Sequence, residues 1–239
     1  MIKRGNVLSR ILHKWIGLVI GLQVLIWLTS GLYMVVVDLD FIHGDPLVQN
    51  MQRPIVIPDS SRVSIAALKK RYPNASHIGL RPVMDKTYYT VTTADSRYLV
   101  DPATTEVISP LAKETASQIA VFHFNGDAAV INASLITADP PMEIKTRRLP
   151  LWRVDFNDRY STSFYIDPYS GRLVTRRHQY WRIFDFLWML HIMDYDERSD
   201  AHNPLLVLTQ VAGLAFCITG LWLLFYSFSG RRKRKLAEG

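Results

Sequence analysis

The sequence predicts an α+β membrane protein in which two transmembrane helices flank a central domain of short strands and helices. Three observations carry this. Residues 15–37 and residues 205–230 are uncharged, largely apolar runs, each longer than the roughly 20 residues a helix needs to cross the hydrocarbon core. Cations gather outside both runs. The segment between them alternates apolar and polar residues in short stretches broken by turn residues.

The cations orient the spans. Lys3, Arg4, Arg10 and Lys14 precede the first run, and Arg231, Arg232, Lys233, Arg234 and Lys235 follow the second. Short cytoplasmic flanks collect Lys and Arg, so both ends are expected in the cytoplasm, with the central segment in the periplasm of a bacterial inner membrane. The boundaries follow: a cytoplasmic N-terminus 1–14, a helix 15–37, a periplasmic domain 38–203, a helix 204–229 and a basic tail 230–239. The formal charge is +7 and the pI about 9.5, yet the central segment is near neutral. The basic balance therefore reports topology, and no nucleic-acid partner is expected.

The first run reads as a retained signal anchor. It is too long for a cleaved h-region, and no Ala occurs before Ala66 to make a small-residue cleavage site. Cys217 is the one cysteine and lies in the second run. That excludes, within one chain, an internal disulfide, a cysteine-rich zinc site, an iron–sulfur cluster or a covalently attached haem. Any redox centre must rely on histidine, carboxylate or a diffusible cofactor. No Rossmann glycine pattern is present to bind a nucleotide donor.

Within the central segment, Val63, Ala66, Ala67 and Lys70 fall on helical spacing and stop before Pro73. "TYYTVTTADSRYLVDPATTEVI" alternates β-branched and aromatic residues around Ala94, Asp95 and Ser96, a hairpin pattern, and a helix is expected around Ala112 to Phe122. "LWRVDFNDRYSTSFYIDPYSGRLV" then gives two strands around Asn157 and Asp158, with a turn at Asp167, Pro168 and Gly171. Placing Tyr98-Leu99-Val100-Asp101-Pro102 over Phe164-Tyr165-Ile166-Asp167-Pro168 sets the two halves in register. Two more inserted residues bring His123 onto His191. The domain thus reads as two weak repeats, about 60–125 and 130–195, or as an ordinary α+β domain.

"LHKWIGLVIGLQVLIWLTSGL" resembles the first span of PepSY-associated membrane proteins, with its His-Lys-Trp-x-Gly-Leu start and a Ser-Gly-Leu sequence where relatives often turn. Tyr165 to Leu173 resembles a PepSY strand and turn. Larger relatives have four spans and act as ferric-siderophore reductases carrying b haems, and small two-span relatives are linked to ferric reduction that feeds ferrous iron uptake. The resemblance therefore implies haem b, held by histidines, and iron as the acceptor. This chain has half the spans of the larger relatives.

His13, Gly17 and Gly21 fall at i, i+4 and i+8 on one helical stripe. Glycines admit either a flat macrocycle or a second helix, and a histidine one turn away is able to ligate iron. From the stripe alone, helix packing is the simpler reading; the resemblance favours the haem ligand, because His13 stands at the signature position. The second run has no histidine. Two axial ligands at one depth then require a second chain to supply its own His13, so a homodimer rebuilding a four-helix bundle is expected.

On the outer side, Trp181, Phe184, Trp188 and His191 recur at i, i+3, i+7 and i+10. Rings beside a histidine suit a porphyrin, and equally suit an interfacial anchor in the lipid headgroups. His191 leads as the outer ligand, with His123 and His202 ranked below it. Asp194, Asp196, Glu197 and Asp200 follow within seven residues. They suit either a landing place for hard ferric iron, or a ferric complex, or a solvated loop. The leading expectation is a haem-b-dependent ferric reductase serving a ferrous iron transporter, with an unread electron donor. The alternative is a non-enzymatic, membrane-tethered PepSY module that binds a peptide, a protease or a partner protein.

Overall fold

A computed structural model describes residues 2–49, 55 and 64–237. Val63, and the expected start of the first repeat near residue 60, lie outside the described residues. In chain order the helices are α1 (Ile2–Val36), α2 (Leu39–His43), α3 (Ile65–Arg71), α4 (Lys113–His123), α5 (Gln179–Ile192) and α6 (Pro204–Ala237). The strands are β1 (His77–Val83), β2 (Lys86–Thr92), β3 (Arg97–Val100), β4 (Val130–Ile136), β5 (Leu151–Phe156), β6 (Ser163–Ile166) and β7 (Leu173–Arg177). The chain divides into two compact units, Asp38–Ile183 and the pair Met1–Val37 with Phe184–Gly239.

The Asp38–Ile183 unit holds two antiparallel meanders, β1-β2-β3 and β4-β5-β6-β7. Each follows a helix in sequence. Ser64 starts α3 by accepting the amide of Ala67 at 3.1 Å, and Leu68 packs that helix on Tyr89, Val91 and Val100. On the other side of β2, Tyr88 joins Val83 and Leu99 in a second core with Ile119 and Ala120 of α4 and Val154, Phe156, Phe164 and Ile166. Alternation along β2 thus sends Tyr88 to one core and Tyr89 to the other, as the twofold period of a strand requires. Packing groups α4 with the second meander, β4 to β6, so each structural copy is a helix followed by strands. The expected division near residue 125, by contrast, separates α4 from that meander.

The two meanders repeat in detail after β3 and β6. Asp101 accepts the amide of Ala103 at 2.8 Å, and Asp167 accepts that of Tyr169 at 2.8 Å. The amides of Thr105 and Gly171 donate to the carbonyls of Asp101 and Asp167, each at 2.9 Å. Thr105 has φ 66° and Gly171 φ 64°. Both turns therefore close through a left-handed residue. Glycine adopts that conformation freely and a β-branched residue does not.

The other unit contains two helices long and apolar enough to cross a membrane, at His13–Val36 and Pro204–Leu221. The Ser-Gly-Leu sequence at Ser30 to Leu32 is not a turn: α1 continues through it to Val36. α6 starts where Asn203 accepts the amide of Leu206 at 2.9 Å, a side-chain cap on one of the amides a helix start leaves unpaired. Near its middle, Phe216 lies against Gly17 of α1, where a Cβ would come within 2.9 Å of its ring.

Candidate functional site

His191 sits in the last turn of α5 and is held against α1 by three contacts. Its Nδ1 lies 2.7 Å from Oγ of Ser30. Its carbonyl, one of those a helix end leaves unpaired, accepts the indole N–H of Trp27 at 2.8 Å. Its Cε1 lies 3.8 Å from where a Cβ of Gly31 would stand. Ser30 is fully buried. Among the described residues, Nε2 of His191 has no hydrogen-bond partner. The expected stripe exists in part: Phe184 and Trp188 stack with ring centroids 6.2 Å apart and planes 10° apart, and Trp188 and His191 with centroids 6.4 Å apart and planes 8° apart. Trp181 instead stacks under the guanidinium of Arg177, 3.8 Å away.

His13 lies at the far end of the same span. Its ring stacks on Phe216 with centroids 4.4 Å apart and planes 19° apart. Phe216 thus fills the space over Gly17 and also faces His13. Gly21 has nothing within 4 Å of its would-be Cβ and stays open. Between His13 and Ser30 the α-helical rise of 1.5 Å per residue gives about 25 Å. One histidine therefore stands near each end of the span.

The acidic stretch folds back on itself. Met193, with φ 56°, ends α5 in a left-handed conformation. Asp194 then accepts four backbone amides: Asp196 and Glu197 at 3.3 Å, Ser199 at 2.9 Å and Asp200 at 3.0 Å. Those amides, led by Asp200 and Ser199, hold its carboxyl below the usual aspartate range. Asp200 accepts the amide of His202 at 2.7 Å. Arg198 pairs with Asp185, and its carbonyl accepts the Trp188 indole N–H at 3.1 Å. Asn203 ties the loop off by donating to the carbonyls of Ile192 and Asp200, both at 2.8 Å. Glu197 has no side-chain partner among the described residues. Among those residues, no three His, Cys, Asp or Glu side chains converge as a metal-binding set. The lower-ranked histidines stand apart from this arrangement. His202 is exposed in the loop, and His123, at the end of α4, belongs to the other unit. Burial lowers the His123 pKa.

Three contributors escaped the sequence reading. Ser30 is one; its only local sign was a hydroxyl beside Gly31. In the other unit, Glu143 accepts the phenol of Tyr165 and Nε of Arg182 at 2.6 Å, so the first turn of α5 is clasped to β6. His178, fully buried, faces the carbonyls of Phe41 and Ile42 with Nε2 at 2.9 and 3.1 Å. Burial lowers its pKa, with the two carbonyls acting in the opposite direction.

The model of one family, described as the PepSY-associated TM region, matches residues 10–237. No curated protein and no solved structure matches the chain.

Proposed function

The chain belongs to the PepSY-associated TM region family, and from that membership together with the His191 arrangement we propose a haem-b-dependent ferric reductase of the inner membrane. It carries electrons outward to Fe(III), and the Fe(II) formed feeds ferrous uptake. One observation carries the reading. A histidine with one ring nitrogen tied to a buried hydroxyl and the other unpaired stands beside stacked rings near one end of a span that has His13 near its other end.

These residues fit the group. An imidazole ligand needs one nitrogen held by an oxygen and the other free, which is the condition of His191. His191 would hold an outer haem and His13 an inner one, and haem supplies reversible one-electron chemistry at potentials its ligands tune. The protein's own residues do the rest. Ser30 and Trp27 fix His191, the apolar spans exclude water, and Trp188 offers a flat face beside the ligand. His13 is the one histidine of α1 and α6 has none, so paired axial ligands at the His13 level come from a homodimer with open Gly21 faces available for close approach. A monomer with a six-coordinate, low-spin haem spectrum refutes the dimer. The exposed carboxylates of the loop act as a field that gathers ferric cations at the exit, since Asp194 is already committed to its amides.

A second reading has its own support. Phe216 fills the space above Gly17 and covers one face of His13, as expected if α1 and α6 merely tether a PepSY domain that binds a peptide or protein. The visible spectrum of full-length protein in detergent decides between the two. The reductase shows a Soret band and b-type bands on reduction, lost in His191→Ala and weakened in His13→Ala. Folded protein that stays colourless after expression with ample iron and haem precursor refutes the reductase and leaves the tether.

A further inference from the structure

We propose that Ser30 is a positioning residue that fixes the tautomer of His191, so that the imidazole presents Nε2 as a lone pair. The argument begins with protons. A serine hydroxyl has one proton to give and two lone pairs to accept with. Oγ of Ser30 lies 2.8 Å from the carbonyl of Ile26, four residues earlier on α1, and 3.2 Å from that of Trp27. This is the usual back-bond of a helical serine. Two oxygens at 2.8 Å repel unless a proton lies between them, and a carbonyl has none to offer. The hydroxyl proton therefore points to Ile26. Nδ1 of His191, 2.7 Å from the same oxygen, must then bring its own proton and donate it.

The consequence falls on the other side of the ring. A neutral imidazole carries one N–H, and with it on Nδ1 the Nε2 position is an acceptor or a ligand. Three features keep the ring in this state. Ser30 is fully buried, so water does not compete for its oxygen. The Trp27 indole holds the His191 carbonyl and with it the backbone of that turn. Trp188 lies parallel to the ring, and Gly31 allows its Cε1 edge close to α1. The outer histidine is thus prepared to bind iron before any cofactor arrives. Partners of this kind hold a ligand's orientation and raise its basicity.

The inference deepens the haem reading, but its test does not depend on haem. Nitrogen-15 NMR of the full chain in detergent, haem-free and labelled at its seven histidines, reads each ring's tautomer, with His191→Gln identifying the resonance. The wild type is expected to show His191 protonated at Nδ1. Ser30→Ala is expected to shift that ring toward the Nε2–H form, and Ser30→Thr, which keeps a hydroxyl with the same back-bond, to restore Nδ1–H. A wild-type ring protonated at Nε2, or a tautomer unchanged in Ser30→Ala, overturns the inference. A haem titration forms the second arm. Loss of an outer-shell partner weakens metal affinity by about 10- to 100-fold, so Ser30→Ala should bind haem at least about tenfold more weakly than wild type and Ser30→Thr should recover it. Equal affinities overturn the ligand role. A wild type that takes up no haem overturns the reductase reading instead, and the tautomer measurement still decides the assignment of Ser30.

Discussion

Replacing Glu143 with alanine tests how the first turn of α5 is secured to the second meander. The Glu143 side chain is 9% exposed and that of Arg182 32%. Arg182 gives Glu143 Nε at 2.6 Å and an Nη at 3.2 Å, and Tyr165, itself fully buried, gives its phenol. Breaking one side of a buried pair costs about 3–5 kcal/mol; the partial exposure of Arg182 lets water recover some of this, leaving about 2–3 kcal/mol. The orphaned phenol adds about 1 kcal/mol, the low end for an unpaired buried group. The total is about 3–4 kcal/mol, or a drop of roughly 6–16 °C in Tm for a unit of this size. Glu143→Gln keeps an acceptor for Tyr165 and should cost about 1–2 kcal/mol. The assay is thermal unfolding of the full chain in detergent, followed by near-UV circular dichroism. Burial alone would raise the Glu143 pKa, but the hydrogen bonds from Arg182 and Tyr165 and the nearby cations bring it below the ordinary glutamate value. Its contribution is therefore complete above that ordinary value and is lost as pH falls through the folded-state pKa. Wild type should show this acid limb and Glu143→Gln should not. A Glu143→Ala variant within about 1 kcal/mol of wild type, or identical acid limbs, refutes the reasoning.

Thr105→Gly should raise stability by about 1 kcal/mol, because it relieves a β-branched residue at φ 66°. Gly171→Thr at the matching turn should cost more than about 1 kcal/mol, since its Cβ would also stand 3.1 Å from Val83; paired melts check both. His178→Phe leaves the carbonyls of Phe41 and Ile42 without their imidazole partner and should cost about 1–2 kcal/mol at pH 8. The His178 pKa is depressed in the fold, so wild type loses stability as pH falls below the free-histidine value of about 6.5. The phenylalanine variant lacks that loss, and the two stability curves should converge in acid. Asn203→Ala removes the α6 cap and the bonds to the end of α5 and to the acidic loop, costing about 1–2 kcal/mol and speeding hydrogen exchange at Leu206 and across residues 194–203. Glu197→Gln should leave the melt unchanged and slow reduction of a cationic ferric complex at low salt only, since about 1 M salt shrinks the Debye length to about 3 Å; Asp194→Asn should loosen the loop at either salt.

Legibility of the fold followed the kind of signal each element carries. The spans were legible from the absence of charge, the hairpin between β2 and β3 from Ala94, Asp95 and Ser96, and the turn after β6 from Asp167, Pro168 and Gly171, because those signals are local. β1 and β4 were not legible. Both are edge strands; β1 contains Gly79 and Pro82, residues an edge tolerates, and β4 buries one residue in seven. Neither therefore shows a clean alternation. The stripe of Phe184, Trp188 and His191 was readable because it lies on one helix. Its partner Ser30 was not, since 161 residues separate it from His191 and periodicity is silent about which faces meet. The same holds for Glu143 and Arg182, brought together across 39 residues.

The acidic stretch and His191 adjoin in sequence, yet their side chains answer different demands. Asp194 binds four amides, Asp200 one, and Asn203 two carbonyls, and these bonds turn the chain from the end of α5 into the start of α6. A carboxylate engaged in this way loses much of what a metal would ask of it, because its lone pairs already serve N–H groups. Glu197 lacks a side-chain partner among the described residues. The loop's hydrogen bonds thus make a helix connection, and in the proposed reading its carboxylates add a diffuse field while the directional chemistry falls to His191 of α5, held by Ser30 of α1. That separation should let a charge be changed in the loop without moving His191, and let His191 be altered through one hydroxyl on α1 without unfolding the loop.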